Sequence, residues 1–325
     1  MIPLAFTLSG LSLLMSTFFL VKTKAYRMYM MFFPLIAGAL SPFWAVLGVF
    51  GAVLGWLYGA IWAIPIGLAG AITMVAYIRG CTRDHKGFEE AFGSDWAVNV
   101  PPEQVSKLPD KRWSWFLSMK ASPESTWERD VSFWTIPDTD RELLCDIWHP
   151  DDNINSGLAY IFLHGSAWAV ADKDFGTRPL FRHLTAQGHT IMDISYRLIP
   201  EVDIYGMVGD AKRAVAWLKA NAGRFGVDPE KIVLGGGSAG AHIALLAGYA
   251  PVHPDLTPDD LKEQDLSVCG LCTYYAPTDL VAGFDVYDIN TLAAKNPDLP
   301  VGIRVDPKSS FNYAGRLDIL LGGNP

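Results

Sequence analysis

Two long apolar stretches occupy the first quarter of the chain, and shorter segments follow them. Residues 1–21 form one uncharged apolar run, and residues 28–78 form a second, longer one. A helix needs about 20 such residues to cross a bilayer, so the second run is long enough for two crossings. The pattern therefore predicts a transmembrane region over residues 1–79, with a break at the glycine-rich stretch 51–55. The three predicted helices span residues 2–21, 29–50 and 56–78.

All charged side chains in this region are basic, because residues 1–79 contain no Asp or Glu. Their basic side chains are Lys22, Lys24, Arg27 and Arg79. Three crossings would place the basic stretch 22–27 and the chain beyond Arg79 on the same side. Cytoplasmic loops carry such an excess of Lys and Arg, so we expect a multi-pass integral membrane protein whose large C-terminal portion is cytoplasmic. A cleaved signal peptide is the alternative for the first segment, which lacks a basic start and a small-x-small cleavage site.

Short strand patterns alternate with helix patterns after a connector at residues 80–126, which is broken by prolines. The strand patterns cover residues 129–136, 142–148, 158–163, 190–195 and 231–234. The helix patterns cover residues 178–187, 204–225 and 238–249. This alternation predicts an α/β domain over residues 127–325, in which helices flank a mostly parallel sheet.

Charge and cysteine usage narrow the possible partners. The whole chain carries a net charge of −8 and the first 79 residues carry +4, so residues 80–325 carry −12. Such an acidic surface makes nucleic acid an unsuitable partner. Cys269 and Cys272 form a C-x-x-C within an apolar run typical of a buried strand, without a second pair or a nearby His. We interpret them as ordinary core cysteines, and we expect no metal and no cofactor.

The segment 235–242, GGGSAGAH, fits two motifs with unrelated chemistry. Starting at Gly235 it fits the dinucleotide-binding G-x-G-x-x-G, and starting at Gly236 it fits G-x-S-x-G, which exposes a nucleophilic serine. The second interpretation also requires an upstream loop whose N–H groups stabilise an oxyanion, directly after an earlier strand. The sequence HGSAW at residues 164–168 occupies that place, so the pair of motifs favours the serine interpretation. Gly236 and Gly240 would then give Ser238 the room that a sharp turn needs.

With these motifs the chain resembles the α/β-hydrolase fold, within it the carboxylesterase group related to hormone-sensitive lipase, which includes prenylcysteine methylesterase-like enzymes. The resemblance covers about residues 127–325. It rests on HGSAW at 164–168, SYRLIPE at 195–201, FGVDPEKIVLGGGSAGAHIA at 225–244 and YYAPTDL at 274–280.

The resemblance implies roles for individual residues. Ser238 would be the nucleophile, and backbone N–H groups of Ala239 and of the loop Gly165-Ser166, after the motif residue His164, would form the oxyanion hole. The family usually has Gly at the position of Ser166. Two further residues, Arg197 and Asp210, look structural rather than catalytic.

The acid and the base of a catalytic triad are harder to place. In this fold the order is Ser, then acid, then His, so the base must follow Ser238. His242 lies one turn further along the same predicted helix, His253 lies in a Pro-rich loop, and Asp279 is a weak candidate for the acid. Only six strands are predicted, counting the apolar run around Cys269 and Cys272, where the family has eight. We therefore expect a chain truncated at its C-terminus, with acid and base beyond residue 325, and an essentially inactive fragment.

The sequence thus predicts a membrane-anchored serine hydrolase that cleaves a carboxylic ester through an acyl-enzyme at Ser238. A hydrophobic or lipid-linked ester, such as a prenylcysteine methyl ester, would suit a membrane-bound enzyme. Two alternatives stay open: a peptidase or acyltransferase on the same scaffold, and a catalytically inactive hydrolase-like module that binds partners at the membrane.

Overall fold

The computed structural model describes residues 1–20, 32–83, 86–106, 122–280 and 320. The chain divides into two compact units, which we call unit 1 (residues 1–120) and unit 2 (residues 121–325). The finer division predicted at residues 79/80 and 126/127 stays a prediction.

Unit 1 is helical in its described part. Its helices are α1 (Ile2–Thr17), α2 (Phe32–Ala39), α3 (Ser41–Leu57), α4 (Ala63–Thr82), α5 (Gly87–Phe92) and α6 (Pro102–Val105). A bend of 78° separates α2 from α3 at Leu40. Pro42, in the first turn of α3, lacks a backbone N–H and therefore cannot continue the hydrogen bonding of the preceding helix. The predicted helix 29–50 is accordingly broken near its middle.

The prediction of three membrane spans is not supported. Among the described residues, α4 alone is long and apolar enough to cross a membrane, and a second span exists only if the bent pair α2 and α3 counts as one. Helix α1 has 16 residues, which is shorter than a bilayer crossing requires. The predicted break at 51–55 is also wrong, because these residues lie inside α3 and the chain turns at Gly59 instead.

The glycines of α3 are packing positions rather than turn positions. A Cβ on Gly51 would lie 2.7 Å from the backbone nitrogen of Ser9, and a Cβ on Gly48 would lie 2.5 Å from the carbonyl oxygen of Gly67. Helices α1, α3 and α4 therefore approach one another at backbone distance. The Ser9 hydroxyl also donates to the carbonyl of Ala63 at 2.8 Å, joining α1 to the start of α4.

Unit 2 alternates strands and helices as predicted. Its strands are β1 (Thr126–Thr135), β2 (Glu142–His149), β3 (Ala159–Leu163), β4 (Thr190–Ile194), β5 (Ile232–Gly237) and β6 (Gly270–Tyr274). Its helices are α7 (Arg178–Ala186), α8 (Ile204–Ala220) and α9 (Ala239–Tyr249). The helix predicted at 204–225 ends earlier, and the strand predicted at 231–234 extends through the glycines, which pair with β3 and β6.

The strands form one sheet in the order β1-β2-β4-β3-β5-β6. The strands β4, β3, β5 and β6 run parallel, while β1 and β2 are antiparallel to their neighbours. The carboxyl ends of β3, β4, β5 and β6 therefore meet at one edge of the sheet, where ligands bind in open α/β sheets. This mostly parallel sheet with flanking helices fits the predicted α/β-hydrolase architecture.

Alternation along β3 builds a core on both faces of the sheet. Ile161 and Leu163 pack in the larger cluster with apolar side chains of α8 and α9. Tyr160 and Phe162 face the other side, where they pack with Phe181 of α7. The residues of the site thus stand at the end of a strand that is held by helices on both sides.

The prediction that Cys269 and Cys272 are core cysteines is wrong. Both thiols are exposed and unpaired. Cys272 lies on β6, which is the edge strand of the described sheet and is only partly covered. No group of three or more His, Cys, Asp or Glu side chains suited to a metal occurs within the described residues.

Candidate active site

Ser238 stands at a sharp turn between strand and helix. Strand β5 ends at Gly237 and α9 begins at Ala239, so one residue joins them. The backbone of Ser238 has φ 52° and ψ −117°, a conformation that costs an L-residue about 1–3 kcal/mol. Its N–H donates to the carbonyl of Tyr274 at 2.9 Å, and its own carbonyl accepts from the N–H of His242 at 3.0 Å. The strained turn is therefore fixed from β6 and from within α9.

The glycines around Ser238 are required by the end of β3. A Cβ on Gly236 would lie 2.2 Å from the carbonyl oxygen of Leu163, and a Cβ on Gly240 would lie 2.2 Å from the same oxygen. Both distances are far below any van der Waals contact. This explains in physical terms why a glycine stands two residues before and two residues after the serine.

The loop after β3 lies beside the serine. A Cβ on Gly165 would be 3.2 Å from the Cβ of Ser238 and 3.0 Å from the carbonyl oxygen of Gly237. Ser166, Ala167 and Trp168 then take positive φ values of 118°, 53° and 58°. The Ser166 hydroxyl donates to the carbonyl of Val170 and closes this turn. The structure thus brings the predicted oxyanion loop and the predicted nucleophile together.

His164 holds this loop through a hydrogen bond and a ring contact. Its Nδ1–H donates to the carbonyl of Gly165 at 2.8 Å, and its ring stacks on Tyr196 with centroids 4.4 Å apart. Burial lowers the pKa of His164, although the hydrogen bond to Gly165 opposes this effect. The imidazole is therefore neutral, with its proton on Nδ1. Its hydrogen bond to the carbonyl of Gly165 fixes the orientation of the peptide group between Gly165 and Ser166.

The segment after β4 holds the same loop at two further points. The Tyr196 hydroxyl donates to the carbonyl of His164 at 2.8 Å, and the N–H of Ile199 donates to the carbonyl of Trp168 at 2.9 Å. The motif SYRLIPE at residues 195–201 contains Tyr196 and Ile199 but predicts no role for either. Backbone hydrogen bonds and the hydrogen bond of a buried phenol produce no motif in a single sequence, so these two roles could not be predicted.

Arg197 and Asp210 anchor that segment, as predicted for structural positions. The Arg197 guanidinium donates to both carboxylate oxygens of Asp210, with Nη2 at 2.6 Å from Oδ1 and Nε at 2.9 Å from Oδ2, and its backbone N–H donates at 3.0 Å. Burial raises the pKa of Asp210, and the bonds from Arg197 act in the opposite direction. The ion pair therefore ties the segment after β4 to α8.

Tyr275 is a neighbour of the site that sequence reasoning missed. Its hydroxyl lies 2.8 Å from the place where a Cβ on Gly237 would be, so the phenol covers the backbone just before Ser238. The side chain is 80% exposed and its φ is 44°. It thus borders the site from the solvent side.

His242, considered above as the base, is joined to Ser238 by a backbone hydrogen bond of α9. His242 is buried in α9 with its ring edge-on to Trp168 at 5.6 Å, and burial lowers its pKa to about 4. Asp279 is exposed in the segment after β6. Residues 281–325, apart from Leu320, lie outside the described residues.

Comparison with known proteins gives one matching family model and several similar esterases. The BD-FAE family model matches residues 145–300, which run from β2 past β6. Among curated proteins, several of the matches are esterases.

Three of these similar esterases come from a bacterium and a plant. Esterase LipQ of Mycobacterium tuberculosis is 28% identical over 209 residues, covering 63% of this chain and 49% of LipQ. The probable carboxylic ester hydrolase LipM of the same organism is 35% identical, covering 41% of this chain and 31% of LipM. The isoprenylcysteine alpha-carbonyl methylesterase ICME of Arabidopsis thaliana is 34% identical, covering 44% and 32%.

The chain spans about half, or less, of the length of these curated relatives. Among solved structures, the butyrate-bound esterase Est2 of Thermogutta terrifontis is 26% identical with a TM-score of 0.39, covering 48% of this chain and 54% of that chain.

Proposed function

We propose that unit 2 is the catalytic part of a serine hydrolase that cleaves carboxylic esters through an acyl-enzyme on Ser238. The observation that carries this proposal is the serine in a strained turn between β5 and α9, with the backbone of Gly165 packed beside it. A serine at a strand-to-helix turn, next to a loop of backbone N–H groups, is the arrangement of an α/β-hydrolase nucleophile.

In this proposal Ser238 Oγ attacks the ester carbonyl and gives its proton to a general base. The negative charge develops on the carbonyl oxygen, where the N–H groups of Ala239 and of Gly165-Ser166 stabilise it. The field at the N-terminus of α9 favours the same charge. The alcohol then leaves with a proton from the conjugate acid, and water releases the acyl group by the same steps in reverse order.

A hydrophobic or lipid-linked ester is the proposed substrate class. Two observations support it: the similarity to isoprenylcysteine methylesterases, and the apolar helical unit on the same chain. Tyr275, exposed beside Gly237, offers an aromatic surface for the apolar part of such an ester.

Membrane anchoring through unit 1 is the second part of the proposal. Side chains buried between its helices are mostly small, whereas Val46 is 59% exposed and Ile72 is 67% exposed. Water would drive large apolar side chains inward. Lipid instead permits them outside, and close packing of small residues then holds the helices together. The basic residues Arg79 and Arg83 at the end of α4 favour a cytoplasmic position for the chain that follows.

The test of catalysis uses the longest natural form of the chain and a fluorophosphonate probe, because labelling requires the general base as well as Ser238. We expect the probe to label the wild-type chain and not Ser238→Ala, and short aliphatic p-nitrophenyl esters to be hydrolysed by the wild type alone. Ser195→Ala, which removes a serine hydroxyl elsewhere, is the matched control and should be labelled. Absence of labelling in the folded wild-type chain would reject the hydrolase and support an inactive module. Product analysis with added amines or alcohols separates hydrolysis from acyl transfer, and peptide substrates test for a peptidase.

The test of anchoring is independent of catalysis. Membranes that contain the full chain are washed with sodium carbonate at pH 11 and then dissolved in detergent. We expect the chain to stay with the membrane in carbonate and to be released by detergent, and release in carbonate would reject the anchor.

A further inference from the structure

A long groove runs along unit 1 between α3 and α4. Its volume is about 1010 Å³, and its walls are apolar over most of their length. The principal wall residues are Val46, Val49, Phe50, Val53, Ile72 and Val75. A groove of this size is comparable with the largest small-molecule sites in proteins.

Close approach of the two helices forms the floor of the groove. A Cβ on Gly48 would lie 2.5 Å from the carbonyl oxygen of Gly67 and 3.2 Å from the backbone nitrogen of Ala71. Larger side chains stand on either side of this contact, as Val49 on α3 and Ile72 on α4 do. The apolar groove therefore results from small residues at the helix contact and β-branched residues on its walls.

Two arginines line one end of the groove. Arg79 and Arg83 lie one helical turn apart, since the N–H of Arg83 donates to the carbonyl of Arg79 at 3.0 Å. Among the ion pairs within the described residues, neither guanidinium has an acidic partner. An apolar channel that ends in two guanidinium groups matches an amphiphile with an acyl chain and an anionic head, because guanidinium binds phosphate oxygens in a bidentate way.

We propose that this groove binds an anionic phospholipid of the surrounding membrane, with an acyl chain along α3 and α4 and the phosphate at Arg79 and Arg83. The proposal rests on the membrane anchoring argued above. The two helices that form the groove, α3 and α4, contain no Asp or Glu, so a second copy of them would not satisfy the arginines. A zwitterionic lipid would fill the channel but would bring a positive group toward two positive side chains.

The experiment measures lipid binding to the full chain in a mild detergent by native mass spectrometry. Phosphatidylglycerol and phosphatidylcholine with identical acyl chains are titrated separately. We expect one phosphatidylglycerol to bind at least about tenfold more tightly than phosphatidylcholine. The double variant Arg79→Gln/Arg83→Gln should lose this preference. Ala76→Trp, which places an indole in the groove and keeps both charges, should weaken binding of both lipids.

The matched control is Lys22→Gln/Lys24→Gln, which removes the same charge elsewhere in the sequence of unit 1. It should retain the wild-type preference, and all variants should elute as folded protein. Equal affinity of the wild type for the two lipids would overturn the proposal, as would a preference that survives in the arginine double variant or binding unaffected by Ala76→Trp. Carbonate extraction is run in parallel to separate the two proposals. A chain that stays in the membrane but shows no lipid preference refutes lipid binding in the groove alone. A chain that carbonate extracts refutes membrane anchoring and, with it, lipid binding in the groove.

Discussion

Gly165 lies so close to Ser238 that a Cβ on the glycine would be 3.2 Å from the Cβ of the serine. The backbone of the loop after β3 therefore passes directly beside the proposed nucleophile. This proximity is what an oxyanion hole requires, because its N–H groups must lie within hydrogen-bond distance of an oxygen attached to the attacked carbon. Any side chain at position 165 would separate the two elements.

Gly165→Ala should therefore slow the chemistry more than it unfolds the protein. The added methyl must displace either the loop or the turn by a few tenths of an ångström, and catalytic geometry is sensitive to such shifts. We expect the rate of fluorophosphonate labelling at Ser238 to fall about tenfold or more. Gly223→Ala is the matched control, since a Cβ there meets no atom within 4 Å. Equal rates for the two variants would contradict the proposed closeness of loop and nucleophile.

Two variants at position 166 distinguish the effect of backbone strain on stability from the effect of a hydrogen bond. Ser166 has φ 118°, which favours glycine, yet its hydroxyl donates to the carbonyl of Val170. Ser166→Ala loses the bond and keeps the strain, so we expect a loss of about 1 kcal/mol in unfolding free energy. Ser166→Gly loses the bond but relieves the strain, so its melting temperature should exceed that of Ser166→Ala. The opposite order of melting temperatures would show that the strain is not relieved.

Local patterns in the sequence predicted unit 2 well, because its strands and helices coincide with alternating and helical periodicity. The glycines at 236 and 240 were correctly interpreted as space for a turn, since short-range sterics determine them. Tyr196 and Tyr275 were missed because their roles depend on segments far apart in the chain. In unit 1 the glycines near 51 were interpreted as a turn, although tertiary packing uses them at a helix contact.

Gly48 tests that packing directly. A Cβ at this position would lie 2.5 Å from the carbonyl oxygen of Gly67 and 2.6 Å from the hydroxyl of Ser12. Gly48→Ala should therefore destabilise unit 1 by about 1–3 kcal/mol. Gly10→Ala is the matched control: a Cβ there meets no atom within 4 Å, and alanine is the better helix former. Thermal unfolding of the full chain in detergent should show a lower midpoint for Gly48→Ala alone, and equal midpoints would contradict the close approach.

The buried carboxyl group of Asp193 should make the stability of the folded protein depend on pH. It is fully buried on β4 directly opposite Asp146 of β2, and its Oδ2 accepts the N–H of Asp174 at 2.6 Å. Burial, together with the charges of Asp146 and Asp174, raises the pKa of Asp193 to about 8, although the hydrogen bond from Asp174 and the charge of Lys173 oppose the shift. The folded protein therefore keeps a proton that the unfolded chain releases near pH 4.

The stabilising effect of that proton is complete below about pH 4 and is lost as pH rises through about 8. Asp193→Asn is neutral at every pH, so its stability relative to the wild type should increase by more than about 1 kcal/mol between pH 4.5 and pH 8. Melting temperatures of the full chain at both pH values measure this difference. Asp140→Asn, in an exposed turn, is the matched control and should show no such trend. A constant difference between Asp193→Asn and the wild type would mean that Asp193 is already ionised in the folded protein at pH 4.5.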